Sequence, residues 1–262
     1  MERNLKLTIA YDGTEFHGWQ RQPNLRTVQG ELETVARRVI RQPLEIVGAS
    51  RTDRGVHARG QVAHLRTATT IPTEKLRRAI GERLPADLAL VAAQDVPLEF
   101  HATRDALGKL YRYWICNDVR RPVEWAAQRY AWHVWQPLDA SRMQAAADLL
   151  VGTHDFAAFA GSGGARESTV RTIHRAQIRR RFNALLIDFA GDGFLYNQVR
   201  NMVGTLVEVG RGHWAPERVA EILACRDRRQ AGPTAPAHGL FLEWVRYPPL
   251  RDPGHADQDH EA

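Results

Sequence analysis

The sequence contains little cysteine and no long apolar run, and these two shortages exclude several classes of protein. Only two cysteines occur among the 262 residues, Cys116 and Cys225, and they lie far apart in the chain. This usage excludes a disulfide framework and a cysteine-based zinc site, and it is typical of proteins that fold in a reducing compartment. Because no apolar stretch approaches the roughly 20 residues that a bilayer requires, we expect no membrane-spanning helix and no membrane partner.

Other familiar signals are also missing. Residues 1–6 lead directly into a strand-like pattern without the apolar segment of a signal peptide, which predicts a cytoplasmic protein. No glycine-rich phosphate loop and no dinucleotide-binding fingerprint is present. The eleven histidines show no spacing typical of a zinc site. We therefore expect no metal.

Lysine is also scarce, whereas arginine is abundant. Three of the 36 basic residues are lysines, and the formal net charge is +6. Residues 251–262 are acidic and contain proline and glycine, so we predict that they form a disordered tail. The planar guanidinium group suits phosphate and stacks on bases, which favours a nucleic-acid partner. A genome-wide bias toward arginine would give a similar count, so composition alone leaves RNA binding open.

Hydrophobic periodicity divides the chain into two similar series of elements. Residues 1–104 predict strand, helix, strand, strand, helix and strand, with Thr27 and Thr73 as helix N-caps. Residues 105–250 repeat this order, with the longest helix predicted over residues 194–209. Each series has the order of a ferredoxin-like unit. We therefore predict an α+β fold in which two such halves join into one mixed, mainly antiparallel sheet with a central cleft.

A polar loop lies between the strands predicted at residues 44–47 and 61–66. It contains one carboxylate, Asp53, which is flanked in sequence by Arg51 and Arg54. We expect the nearby positive charge to lower the pKa of Asp53 and keep it ionised. An ordinary surface aspartate that caps a turn would show the same local pattern.

The run from Arg51 to Ala58 resembles the signature of the tRNA pseudouridine synthase A family. Ser50 and Arg54 depart from it, because a glycine and a small residue are usual at these positions. Further similar stretches cover nearly the whole chain in the expected order. They lie at residues 11–29, 109–113, 152–156, 194–204 and 234–240.

The resemblance implies an isomerase that converts uridine to pseudouridine in the anticodon stem-loop of tRNA, at tRNA positions 38, 39 and 40. It implies a homodimer that needs no cofactor. Asp53 would be the catalytic residue, either as a nucleophile or as a base at the sugar. Tyr111 would pack against the target base. Arg200 would form a bidentate ion pair with Asp53, and Arg51 would support that pair.

Two other functions remain open from the residues themselves. A non-catalytic tRNA-binding protein or chaperone could use the same sheet and the same basic residues. A glycosidase or nucleoside hydrolase usually needs two cooperating carboxylates, whereas the loop has only Asp53. Without the resemblance, Tyr111 would be interpreted as a half-buried sheet residue and Arg200 as a helix-surface residue.

Overall fold

A computed structural model describes residues 2–161 and 168–249. The predicted tail, residues 251–262, lies outside the described residues, so its predicted disorder stays a prediction. The described residues form one ten-stranded sheet with six α-helices. The strands are β1 (Arg3–Tyr11), β2 (Ile46–Gly48), β3 (His57–Thr67), β4 (Leu88–Val96), β5 (Gly108–Cys116), β6 (Trp132–His133), β7 (Gly152–Asp155), β8 (Val170–Arg181), β9 (Ala184–Gly191) and β10 (Leu240–Arg246). The helices are α1 (Val28–Ile40), α2 (Thr73–Gly81), α3 (Trp125–Tyr130), α4 (Ala140–Asp148), α5 (Gln198–Gly210) and α6 (Arg218–Cys225).

The strand order is the same in the two halves. The first half has the antiparallel order β4-β1-β3-β2, and the second has β10-β5-β9-β8. A short parallel pairing joins them, with Phe241 of β10 opposite His57 of β3. This topology confirms the predicted α+β fold of two ferredoxin-like halves in one sheet. The division of the chain at residues 104 and 105 stays a prediction.

The core explains why these segments form strands. Leu5, Leu7 and Ile9 of β1 are buried at alternate positions, and Lys6 and Thr8 between them are partly exposed. This alternation is what a strand needs to bury one face. None of the helices in the described ranges is long and apolar enough to span a bilayer.

The predicted helix starts differ in how well they agree with the structure. Thr27 caps α1 as predicted, since its Oγ1 accepts a hydrogen bond of 3.3 Å from the Gly30 amide. The predicted cap at Thr73 is wrong, because Pro72 occupies the N-cap position of α2. The hydroxyl of Thr73 bonds instead to the side chains of Arg3 and Asp95.

Two further boundaries shift at the border of the cleft. Helix α5 begins at Gln198, four residues later than predicted, because Asn197 adopts a left-handed conformation with φ +60°. Strand β3 begins at His57, earlier than predicted, because β10 pairs with it there. The loop that carries Asp53 is therefore confined to residues 49–56.

Candidate active site

The loop that carries Asp53 is shaped by two glycines. A Cβ on residue 48 would lie 2.4 Å from the indole ring of Trp19, so only glycine lets the end of β2 pack here. Gly55 has φ +78°, a conformation that side chains disfavour. The chain can therefore pack closely on Trp19 before Asp53 and turn sharply after it.

Hydrogen bonds from other segments hold this loop in place. The Trp19 amide donates to the Thr52 carbonyl at 3.0 Å. The hydroxyls of Tyr11 and Thr52 lie 2.8 Å apart in the buried interior. The Val56 amide donates to the Asp53 carbonyl at 3.1 Å. The backbone on both sides of the carboxylate is thus fixed before any substrate binds.

Asp53 and Arg200 meet in the structure although they are 147 residues apart. Nη1 of Arg200 lies 3.2 Å from Oδ2 of Asp53, and the two side chains are 17% and 16% exposed. No other described residue donates to this carboxylate, and no described residue bonds to its Oδ1. The predicted bidentate ion pair is therefore wrong, because a single nitrogen of the Arg200 guanidinium contacts a single oxygen of Asp53.

Other acceptors explain this one-point contact. Nε of Arg200 donates to the Ala235 carbonyl at 2.7 Å, and Nη1 donates to Oδ1 of Asn197 at 2.9 Å. These two bonds fix the plane of the guanidinium group. Arg200 consequently cannot turn its forked edge toward Asp53 without breaking one of them.

The pKa of Asp53 moves in the direction opposite to our expectation. Burial raises the pKa of its carboxyl above the usual value, and Arg200 only partly offsets this effect. The sequence neighbours Arg51 and Arg54 have exposed side chains, and no described residue pairs with either of them. The predicted lowering of the Asp53 pKa is therefore wrong, because desolvation of the carboxyl in the fold outweighs the opposite charge of Arg200.

Tyr111 lies in the same cleft, on β5. Its ring is 5% exposed, and its hydroxyl lies 2.8 Å from Oγ of Ser50. The ring of Phe194 packs edge-on against it, with the centroids 5.2 Å apart. Tyr113, two residues further along the same face, is fully buried.

A lysine that we had not predicted also lines the cleft. Nζ of Lys109 donates to the Ala49 carbonyl at 2.8 Å. Burial and, to a smaller extent, the charge of Arg171 lower the pKa of Lys109 to about 8, although the charge of Asp192 acts in the opposite direction. Lys109 shares a strand face with Tyr111, so the spacing of two residues was an available signal for it.

The cleft has a volume of about 990 Å³ and is formed by both halves of the sheet. Arg51 lines it, but no contact joins its guanidinium group to Asp53 in the described part of the chain. The supporting role of Arg51 stays a prediction, as do the catalytic role of Asp53, the base contact of Tyr111 and the supporting role of Arg200. Within residues 2–161 and 168–249 no group of three or more potential ligands could hold a metal ion.

Sequence reasoning missed Asn197 and Ala235 as well as Lys109. Asn197 lies close to Arg200 in sequence, but its bond to Nη1 depends on a left-handed conformation that no pattern indicates. Ala235 acts through its backbone carbonyl, which carries no side-chain signal.

The chain is similar to known proteins over most of its length. A family model described as tRNA pseudouridine synthase matches residues 7–104 and 146–248. A protein named tRNA pseudouridine synthase A from Syntrophotalea carbinolica is 48% identical, over 94% of this chain and 96% of its own length. One of the same name from Halalkalibacterium halodurans is 45% identical, over 91% and 90%. Another, tRNA pseudouridine synthase A 2 from Clostridium tetani, is 43% identical, over 94% and 100%.

Proposed function

The chain belongs to the tRNA pseudouridine synthase family, and from this premise we propose that its cleft isomerises uridine to pseudouridine in tRNA with Asp53 as the catalytic residue. The observation that carries the proposal is Oδ1 of Asp53, to which none of the described residues bonds. The backbone of this carboxylate is fixed, and one ion pair at Oδ2 orients it. A reactive oxygen in a partly buried site needs this combination of fixed direction and an open face.

The reaction requires one bond to break and one to form at the same sugar carbon. The N1–C1′ bond breaks and its electron pair leaves with the uracil. The base turns within the cleft, C5 bonds to C1′, C5 loses its proton, and N1 ends with a proton. Asp53 either attacks C1′ through Oδ1, and this bond breaks again as C5 bonds to C1′, or it removes a proton from the sugar and later returns it. Both routes use the same oxygen. Atoms balance without an external reagent, which is consistent with the expected absence of a cofactor.

The surroundings of the carboxylate suit an extruded nucleotide. Tyr111 and Phe194 provide aromatic rings at the cleft, and base–aromatic stacking contributes about 1–3 kcal/mol per base. Extruding a paired base costs a few kcal/mol, so such contacts are needed to offset it. Arg51 and Arg54 line the cleft with exposed guanidinium groups that can contact phosphates.

The finer parts of the proposal concern the target and the assembly. We place the target uridines at positions 38, 39 and 40 of the anticodon arm. An anticodon arm is longer than this single cleft, which supports a homodimer in which one tRNA contacts both subunits. We also propose that the protein acts in the cytoplasm, where its tRNA substrate is found. Sedimentation equilibrium with and without tRNA tests the dimer.

Carbodiimide mapping of a tRNA transcript tests the function. The wild-type protein is expected to produce new reverse-transcription stops at the anticodon arm, and Asp53→Asn is expected to produce none. Equal modification by both proteins would remove Asp53 from the mechanism. Release of free uracil would point to hydrolysis of the glycosidic bond instead of isomerisation.

The alternative of a non-catalytic tRNA-binding protein or chaperone makes a different prediction. It requires that Asp53→Asn binds tRNA and supports growth as well as the wild type does. A strain that depends on the protein can be complemented with either form. Full complementation by Asp53→Asn, without modified tRNA, would favour this alternative.

A further inference from the structure

We propose that Lys109 and Ser50 are positioning residues that fasten the loop carrying Asp53 to strand β5. The inference rests on the proposed function, because it concerns how the loop is held for that reaction. Two contacts, which we call the β5 clamp, carry it. Lys109 Nζ donates to the Ala49 carbonyl at 2.8 Å, and the Tyr111 hydroxyl lies 2.8 Å from Ser50 Oγ.

The clamp joins consecutive loop residues to alternate strand residues. Lys109 and Tyr111 point from the same face of β5, since side chains of a strand alternate. Ala49 and Ser50 lie at the start of the loop, just before the turn that carries Asp53. Because both contacts come from one strand, the tyrosine ring and the carboxylate are held relative to each other.

A third bond secures the same point of the loop from β3. Nε2 of Gln61 donates to the Ser50 carbonyl at 2.7 Å, and Gln61 is fully buried. Ser50 is therefore bonded through both its backbone and its side chain. A glycine at this position, which is usual in the resembling family, would keep the bond from Gln61 and lose the one to Tyr111.

The choice of lysine at position 109 is itself informative. Lys109 is one of three lysines in a chain with 36 basic residues. Its ammonium group reaches one carbonyl as a compact charge, whereas a guanidinium group is wider and planar. The charged groups that face it are Arg171 of β8 and Asp192 of the loop before α5. Neither forms an ion pair with it among the described residues, so its bond to Ala49 is its principal contact.

The test compares catalysis, binding and loop mobility in matched variants. Lys109→Met removes the first contact, and Ser50→Ala and Tyr111→Phe each remove one end of the second. Lys75→Met, at an exposed position on α2, is the matched control. Each protein is assayed with an anticodon stem-loop transcript for single-turnover rate and Kd, and by hydrogen exchange at the amides of residues 49–53.

A clamp that positions the loop acts on the rate rather than on affinity. Lys109→Met is expected to slow the chemical step by roughly 10- to 100-fold, since small misplacements are costly, with Kd within about threefold. Exchange in the loop should accelerate. Ser50→Ala and Tyr111→Phe should each slow the step about fivefold. The double variant Ser50→Ala/Tyr111→Phe should slow the chemical step no more than either of its single variants does, because both substitutions remove the same bond.

Other outcomes separate the clamp from the proposed function. A weaker Kd with an unchanged saturated rate in Lys109→Met would make Lys109 a phosphate contact and overturn the clamp. The clamp would also be overturned if the rate losses of Ser50→Ala and Tyr111→Phe multiplied in the double variant. Unchanged hydrogen exchange at residues 49–53 in Lys109→Met would overturn it as well. An inactive wild-type protein would contradict the proposed function, whereas the exchange measurement would still decide the clamp.

Discussion

Asp12 and Asp53 both lie in loops next to strands of the first half, but their carboxylates accept different numbers of hydrogen bonds. Asp12 follows β1, and Asp53 precedes β3. Asp12 accepts hydrogen bonds from Thr14 at Oδ1 and from Arg129 and Tyr130 at Oδ2. Among the residues that the structure describes, Asp53 has one contact, from Arg200 to Oδ2. Both have an arginine partner, so the difference lies in how many acceptor positions are filled.

The pKa values follow this difference. Burial pushes the pKa of Asp12 upward, but the hydrogen bonds from Thr14, Arg129 and Tyr130 outweigh burial and lower it to about 2. For Asp53 burial dominates, and the pKa is raised despite Arg200. A satisfied carboxylate stabilises the fold, whereas an incompletely satisfied one retains an oxygen for chemistry. The comparison indicates a structural role for Asp12 and supports the catalytic role that we propose for Asp53.

The largest effect is expected from Asp53→Asn. Removing the charged oxygen should lower kcat by about 10⁴-fold or more, as does loss of other catalytic nucleophiles and bases. Asp12→Asn provides the control and should change kcat by less than about tenfold, since it does not line the Asp53 cleft. Rates with saturating tRNA check both. A comparable loss of kcat in both variants would end the distinction between the two sites.

The next largest effect is expected from Arg200→Met. Loss of the orienting partner should lower kcat by about 100-fold, because the carboxylate is no longer fixed in direction. Arg200 lowers the pKa of Asp53, so its removal should raise that pKa further. The acidic limb of the pH–rate profile should therefore move to higher pH. A profile that stays in place would show that the pair does not control ionisation.

Replacing the two aspartates by asparagine should change the free energy of unfolding in opposite directions. The pKa of Asp12 is lowered on folding, so its stabilisation is present above about pH 4 and is lost as the pH falls toward 2. Asp12→Asn should cost about 1–3 kcal/mol at pH 7. The pKa of Asp53 is raised, so its charged form opposes folding at neutral pH. Asp53→Asn should then stabilise the protein slightly at pH 7.

Urea unfolding of both variants at pH 7 and at pH 3 measures these differences. The loss in Asp12→Asn should shrink at pH 3, and the gain in Asp53→Asn should shrink as well. If Asp53→Asn destabilised the protein as much as Asp12→Asn does, Asp53 would be a structural residue.

The smallest effect is expected at the exposed arginines of the cleft. Replacing Arg51 and Arg54 together by glutamine should weaken tRNA binding, and a lower saturated rate would indicate that Arg51 also supports the Asp53–Arg200 pair. If each contacts one phosphate, the slope of log Kd against log salt should fall by about 1.4. Arg38 and Arg181, which are exposed outside the cleft, form a matched pair for the control. An equal change in both pairs would indicate general charge rather than specific contacts.

The sequence predicted the fold and the meeting of Asp53 with Arg200 because both depend on long-range patterns of residue type. Apolar periodicity predicted the succession of strands and helices along the chain, and the resemblance linked the two side chains. The one-point geometry could not be predicted, since it depends on the Ala235 carbonyl and on Asn197 in a left-handed conformation. Backbone acceptors and local dihedral angles leave little trace in residue type.

The wrong prediction of the pKa has a similar cause. Flanking charges in sequence, Arg51 and Arg54, suggested a lowered pKa for Asp53. Their side chains are exposed, whereas the carboxyl itself is mostly buried. Desolvation is a property of the assembled fold, so neighbours in sequence could not reveal which effect is larger. The wrong prediction of an N-cap at Thr73 has the same cause. Its hydroxyl forms hydrogen bonds with Arg3 of β1 and Asp95 of β4, which are distant in sequence.

Release of tritium from tRNA labelled at C5 of uridine tests the central claim most directly, because C5 loses its hydrogen only when it bonds to C1′. Wild-type protein, Asp12→Asn and Asp53→Asn are compared at saturating tRNA and matched folded concentration. The account predicts release by the wild type and by Asp12→Asn, and none above background by Asp53→Asn. Release by Asp53→Asn at the wild-type rate would contradict it.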